Sequence, residues 1–432
     1  MSSYTYPHQI VARFTWLAAI SIAALAPRAA AAQQTIQPAG EALTLAHVYR
    51  AVSDSGPLAL AARASARAAS ARVPSARRPP DPRVQLGFMN YSLPDLRPMD
   101  PLGMTQLQVM QMFPTPGKLR LAGNIASSRA GAAAERARET GWELRARSAA
   151  AFYDLYRADR SLEVARATLR IVQDTRRIAE AMYRVGDGRQ ADVLRAQVEI
   201  ARMTEDTLRM LAMRESTLGR LAALASPVAG PLSGSPVLPE FPASIPPLDS
   251  LASAAERGRP MIAAGERELE AADNAVRLAR REIWPDLELG VQVGRRAGAM
   301  GTETMGSLML GASVPIFARS RQLKMREEAA AMREMATFDL AAMRAQTRGR
   351  VIEIRSDLMR ARRLADLYRT TVLPQAEATV ESSLSAYRVG SVDFMTLLEN
   401  RMTVNRYRLE LIALESEEGM AWAELEMLLG RA

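Results

Sequence analysis

Cysteine and histidine, two side chains that often carry catalysis, are nearly absent from this 432-residue chain. It has no cysteine and two histidines, His8 and His47. Disulfides, thiolate metal sites, cysteine nucleophiles and lipid attachment at an N-terminal cysteine are therefore excluded. His8 falls in a leader segment and His47 sits near a helix start, where it reads as a surface residue. Multi-histidine zinc chemistry has nothing to build on. Lys118 follows Pro116-Gly117 but lacks the glycine-rich cradle of a phosphate loop. The 23 methionines could hold Cu(I) or Ag(I). At positions such as Met325, Met332, Met335 and Met359 they read instead as gap-filling core residues. There is no Ser/His/Asp set, no paired-carboxylate cleft and no nucleotide fingerprint. We expect no enzymatic activity, no catalytic or metal site and no cofactor. Arginine is abundant, with 56 basic against 47 acidic residues and a formal charge of +9. Arg and Glu are interspersed along predicted helices, however. That is the pattern of solvated faces with i,i+4 pairs rather than of a nucleic-acid surface.

The residues that do stand out are paired marks. Tyr183-Arg184-Val185-Gly186 recurs 204 residues later as Tyr387-Arg388-Val389-Gly390. Pro82-Arg83-Val84-Gln85-Leu86-Gly87 is mirrored by Pro285-Asp286-Leu287-Glu288-Leu289-Gly290, and Phe113-Pro114 by Val314-Pro315, at offsets of 203 and 201. Near-constant offsets predict a duplicated chain. A first repeat occupies 33–225 and a second 249–432. Between them, 226–248 carries seven prolines in 23 residues and reads as an extended linker. Before them, Arg13 precedes the apolar run 14–26, and Ala30-Ala31-Ala32 offers a cleavage site. Residues 1–32 therefore read as a secretory signal peptide, too short to span a bilayer. Its removal takes away Arg13 and Arg28 and leaves a charge of +7.

These marks must be positioned by long helices. The low aromatic content, 5%, with Ala, Arg, Glu, Leu and Met dominant, is that of a helical chain. Each repeat reads helix, two strands, long helix, turn, shorter helix. First helices are predicted over 44–78, with Thr44 as N-cap, and over 249–283. Long helices are predicted over 117–183 and 318–388, and shorter ones over 189–225 and 392–430. Leu155, Ala158, Leu162, Ala165, Leu169, Val172, Arg176 and Ala179 alternate spacings of three and four. So do Val351, Ile354, Leu358, Ala361, Ala365, Tyr368 and Val372, and the run from Val404 to Leu428. This is a coiled-coil seam. Pro374, inside the second long helix, predicts a kink or bulge.

Four strands decide the class. Over 83–92, 105–113, 286–295 and 305–314, apolar residues alternate with small or polar ones. Each segment has roughly the nine residues that a tilted strand needs to cross a bilayer. Loops at 93–104 and 296–304 join them as hairpins. A soluble sheet would need a second layer over its apolar face, and the chain offers none. Lipid is the expected cover. A spanning sheet must close, and four strands are too few, so copies must share one barrel.

In the order of these pieces the chain resembles the TolC family of outer-membrane efflux proteins. The resemblance rests on the duplicated helix–hairpin–helix–turn–helix order, Leu43-Thr44-Leu45, and Pro82 and Pro285 before the strands. Phe113-Pro114-Thr115-Pro116-Gly117-Lys118, Leu373-Pro374-Gln375-Ala376-Glu377 and the two Tyr-Arg-Val-Gly turns complete it. The Pro-Thr-Pro-Gly-Lys stretch and Val392-Asp393-Phe394 are most similar to the heavy-metal, CzcC/CusC-like branch. The resemblance implies a mainly α fold with a small β part. As a homotrimer it would form a 12-stranded outer-membrane barrel continued by a periplasmic helical barrel. It implies a passive exit duct for drugs or metal ions, coupled to a periplasmic adaptor and an inner-membrane pump of the RND type. A protein-secretion exit duct shares this architecture, and a periplasmic coiled-coil scaffold is the rival of another class. The resemblance makes Tyr183, Arg184, Val185, Gly186, Tyr387, Arg388, Val389 and Gly390 the adaptor-docking tip. Asp187 and Ser391 stand where the family has Leu. It also makes Asp192, Thr396 and Glu399 the candidate gate, where repeated carboxylates would favour cations.

Overall fold

The computed structural model describes residues 42–92, 95–99, 103–225, 232, 234–298 and 301–431. The leader 1–32, including His8, lies outside the described residues, as does part of the linker.

Each repeat opens with two short helices rather than one. The helix expected over 44–78 is α1 (Leu45–Ser55) followed by α2 (Pro57–Ala76). The one expected over 249–283 is α5 (Leu248–Gly258) followed by α6 (Pro260–Arg281). The cause is proline. It pushes the preceding residue out of the α region and is accommodated at the first helical position. Gly56 and Arg259 are accordingly extended, with ψ of 130° and 118°. Thr44 caps α1 by accepting from the His47 amide at 3.3 Å, and His47 is exposed.

The long helix of the first repeat, α3 (Lys118–Val185), has 68 residues, a rise of about 100 Å. It is followed by α4 (Gln190–Leu224). The second repeat has α7 (Gln322–Leu367), then a five-residue π-turn at Tyr368–Val372, then α8 (Leu373–Arg388) and α9 (Phe394–Leu429). The π-turn is the bulge expected at Pro374: the proline has no amide for the i−4 carbonyl, so the ladder widens just before it. The expected start at 318 moves to Gln322.

The seams are buried. Leu155, Ala158, Leu162, Ala165, Val172 and Ala179 on α3, and Val351, Ile354, Leu358, Ala361 and Ala365 on α7, all lie inside. One apolar core gathers Phe152, Tyr153 and Leu155 with Val48, Val52 and Leu221. A second joins Leu251 and Ala255 to Val351, Ile354, Leu425 and Leu428. At Gly419 the α9 backbone passes so close that a Cβ would lie 2.3 Å from the Tyr153 ring.

The strands form one antiparallel sheet in the order β1 (Arg83–Met89), β4 (Met104–Phe113), β5 (Leu287–Gly298), β6 (Gly301–Ala312). The two hairpins meet where β4 pairs β5, with Leu107 opposite Val293 and Val109 opposite Val291. Several strand boundaries differ from the sequence reading. The strand expected over 83–92 stops at Met89, because Asn90 takes a left-handed φ of 54°. A two-residue pair, β2 (Tyr91–Ser92) with β3 (Arg97–Pro98), follows it. The second hairpin lacks the loop expected at 296–304, since Arg296 pairs Glu303 and the ladder continues to Gly298 and Gly301. Its last strand ends two residues early, at Ala312.

Candidate functional site: helix turns, groove and strand band

Both Tyr-Arg-Val-Gly turns end their helices with a left-handed glycine, φ 90° at Gly186 and 73° at Gly390. That conformation needs no Cβ. The Gly188 amide donates back to the Met182 carbonyl, and the Ser391 amide to that of Ala386, each at 3.0 Å. The turns meet in a third core: Ala179, Ala196, Tyr387, Phe394, Leu397 and Leu398 pack together, so the ends of α3 and α8 and the starts of α4 and α9 form one unit. Val185 and Val389 are left outside it, 73% and 79% exposed. Arg184, Arg388 and Tyr183 are also exposed. Tyr387 is not. Its ring stands edge-on to Phe394 at 5.9 Å inside this core, so it supports the turn instead of presenting a surface.

The three candidate gate residues have different surroundings. Thr396 is tied into the α9 cap: its amide and hydroxyl both donate to Asp393 Oδ1, at 3.2 and 2.5 Å. Those bonds hold the Asp393 carboxyl below its ordinary range. Asp192, in the first turn of α4, lies near the Tyr387 hydroxyl. Burial, and then the Asp192 charge, push that phenol up. Glu399 is exposed on α9 and lines a groove of about 750 Å³ with Met203, Met402, Arg406 and Glu199. Glu199 is buried, and its Oε1 has no hydrogen-bond partner among the described residues.

The methionines correct the sequence reading. Met325, Met332 and Met335 are exposed, not core. They line a second groove of about 670 Å³, with Met261 and Met343, between α3, α6 and α7. They escape the core because α7 turns a different stripe inward, Leu340, Thr347, Val351, Ile354 and Leu358. Among the described residues no group of three Asp, Glu or His is placed to hold a metal ion.

Sequence reasoning missed the buried ionic clasps, Arg362 with Glu418 and two at breaks between elements among them. Glu139 of α3 is 1% exposed. It accepts from Arg259 Nε at 2.9 Å and from the Met261 amide at 3.1 Å, while Arg259 Nη1 donates to Thr347 of α7 at 2.8 Å. One carboxylate thus fixes the α5–α6 break to both long helices. Lys118 is the other. It is no phosphate ligand: its Nζ reaches Asp286 at 2.9 Å, Glu282 at 3.4 Å and the Trp284 carbonyl at 3.0 Å. The Thr115 amide donates to Asp286 at 2.7 Å. Burial alone would raise the Asp286 carboxyl, but the Thr115 amide and the Lys118 ammonium outweigh it and hold it low. A reading that sends every charge to solvent has no signal for either clasp.

The sheet supplies the remaining candidate surface. Val84, Leu86, Phe88, Leu107, Val109, Leu287, Leu289, Val291, Val293, Leu308 and Leu310 are all exposed, Leu310 at 82%. No described element covers them, and β1 and β6 are sheet edges. No helix among the described residues is long and apolar enough to cross a membrane.

Comparison with known proteins gives this geometry its context. The family model described as outer membrane efflux protein matches residues 49–226 and 251–431, one segment per repeat. The cobalt-zinc-cadmium resistance protein CzcC of Cupriavidus metallidurans is 24% identical over 293 residues, 67% of this chain and 68% of that protein. Among solved structures, CusC superposes with a TM-score of 0.77 at 16% identity, covering 92% of this chain and 96% of CusC. VceC of Vibrio cholerae, an outer membrane protein, superposes at 0.75 and 19% identity, covering 90% and 96%. With both repeats matched by one family and the fold shared along nine-tenths of its length, the chain belongs to the outer membrane efflux protein family, as a TolC-type channel protein of the bacterial outer membrane that extends into the periplasm.

Proposed function

We propose that three copies of this chain close one 12-stranded barrel in outer-membrane lipid and continue it as a helical tunnel in the periplasm. The observation that carries this is the sheet: four strands with a bare apolar face and two open edges. Open edges in hydrocarbon leave backbone groups unpaired, which costs several kcal/mol per group. Closure with further copies removes them. The assembled channel is a passive exit duct of a tripartite system. It takes direction from an inner-membrane pump of the RND type through a periplasmic adaptor. CzcC is named for cobalt-zinc-cadmium resistance, and divalent metal ions are the substrates we propose here.

The adaptor docks on the exposed tip side chains, with Val185 and Val389 as apolar contacts beside Arg184 and Arg388. Asp192, Thr396 and Glu399 belong to the gate just inside it. Charge on the valines tests the tip. Val185→Asp with Val389→Asp should abolish crosslinking to the adaptor, while subunit counting of detergent-extracted protein still gives three. Unchanged crosslinking overturns the tip assignment, and a water-soluble monomer overturns the barrel.

A further inference from the structure

The chain's positive charge is not spread evenly. The four segments that join strands to helices, residues 76–83, 113–120, 277–288 and 314–326, all lie at one end of the sheet. β1 and β5 begin there, and β4 and β6 end there. These 41 residues hold twelve basic and four acidic side chains. The other 391 hold 44 and 43. Nearly the whole excess of +9 therefore sits at this one level of the fold.

Local pairing sharpens the imbalance. Two of the four acids, Glu282 and Asp286, are taken by the buried Lys118. Lys324 is paired with Glu327. Arg78, Arg83, Arg280, Arg319 and Arg321 are exposed and form no ion pair among the described residues. On the helices beyond, several arginines are matched across neighbours, Arg136 with Glu268, Arg344 with Glu266, Arg350 with Glu424, Arg360 with Glu417 and Arg408 with Glu377. Exposed ones there without an ion pair among the described residues, such as Arg166 and Arg202, are offset by the nearly equal number of acids.

The same level is aromatic and apolar. Trp284, Ile316 and Phe317 are 63%, 78% and 70% exposed. Val314 and Ile283 beside them are exposed too. They continue the bare strand face toward the helices. Trp and its apolar neighbours at the edge of a hydrocarbon band, with free arginines just beyond, match the layering of a lipid leaflet: acyl chain, interface, phosphate.

We propose that this junction is a collar that binds anionic phospholipid headgroups. The occupant is the leaflet on the helical side of the membrane, with phosphodiester oxygens accepting from the arginines while Trp284 and Phe317 sit at the glycerol level. The collar would fix the depth of the barrel and give it a lipid preference. This rests on the barrel reading above.

The test uses the detergent-extracted full-length protein reconstituted into vesicles of phosphatidylethanolamine alone or mixed with phosphatidylglycerol. Retained lipid is then counted by native mass spectrometry. Wild type should retain phosphatidylglycerol over phosphatidylethanolamine by roughly tenfold or more, from the attraction of several arginines to an anionic surface. The variant Arg78→Gln, Arg280→Gln, Arg319→Gln, Arg321→Gln should lose that preference, and the corresponding four lysine substitutions should keep it. Arg166→Gln with Arg202→Gln, on the helices, should change nothing. Equal retention of both lipids by wild type overturns the collar, as does a preference that survives the glutamine variant. If the wild type enters neither kind of vesicle, the barrel reading falls instead.

Discussion

At the scale of the residue, the arresting feature is how much depends on carboxylates that are not exposed. Glu139 holds Arg259, the Met261 amide and, through Arg259, Thr347. Removing one partner of a buried pair leaves the other charge unsolvated, and the typical loss is about 3–5 kcal/mol. Glu139→Ala should therefore lower the free energy of unfolding in detergent by that order, and Glu139→Gln, which can still accept from the amide, by less. A shift within about 0.5 kcal/mol, as for an ordinary surface substitution, would show that the clasp is dispensable. None of this was legible in the sequence. Periodicity sorts side chains into apolar-inside and charged-outside, and Glu139, Lys118 and Asp286 violate that sorting while looking like any other charges on a helix or loop. Tyr387 is the converse case. It shares a motif with the exposed Tyr183, yet it is buried because Phe394 on α9 packs against it.

At the scale of the element, most of the punctuation was legible. The seams, the two glycine turns and the bulge at Pro374 follow from spacing and from the chemistry of Gly and Pro. The breaks at Gly56-Pro57 and Arg259-Pro260 carried the same signal but fell within otherwise helical sequence, where proline at a first helical position is silent. Strand ends were harder. The polar outer parts of β5 and β6, with Arg296, Thr302 and Glu303, show no alternation and are held by the ladder and an ion pair. The gate is a matter of elements as well, since α4 and α9 share one core with both turns and would have to move together. Asp192→Ala with Glu399→Ala should raise single-channel conductance in planar bilayers severalfold. An unaltered conductance would remove both carboxylates from the gate.

At the scale of the whole molecule, the duplication predicts how copies meet. β4 pairs β5 inside the chain. Their counterparts in the other repeat, β6 and β1, are the two edges, so β6 of one copy should pair β1 of the next. Offsets of 201 and 203 carry the pair Val109–Val291 to Leu310 and Phe88 of the neighbour. With no native cysteine, introduced ones report cleanly. Leu310→Cys with Phe88→Cys or Leu86→Cys should form disulfide-linked oligomers, because facing residues lie within bonding reach. Gly87→Cys, on the opposite face, should not. Absence of links from both β1 positions would sink the shared barrel.

The unequal hairpins have one more consequence. The first carries the extra β2–β3 pair beyond the sheet, whereas the second has β5 ending at Gly298 and β6 beginning at Gly301. Around the closed ring proposed above, two different lips would then alternate. The wall of such a cylinder would come near to sixfold, but its outer mouth would be only threefold. Anything arriving from outside the cell would meet a rim that repeats three times, not six.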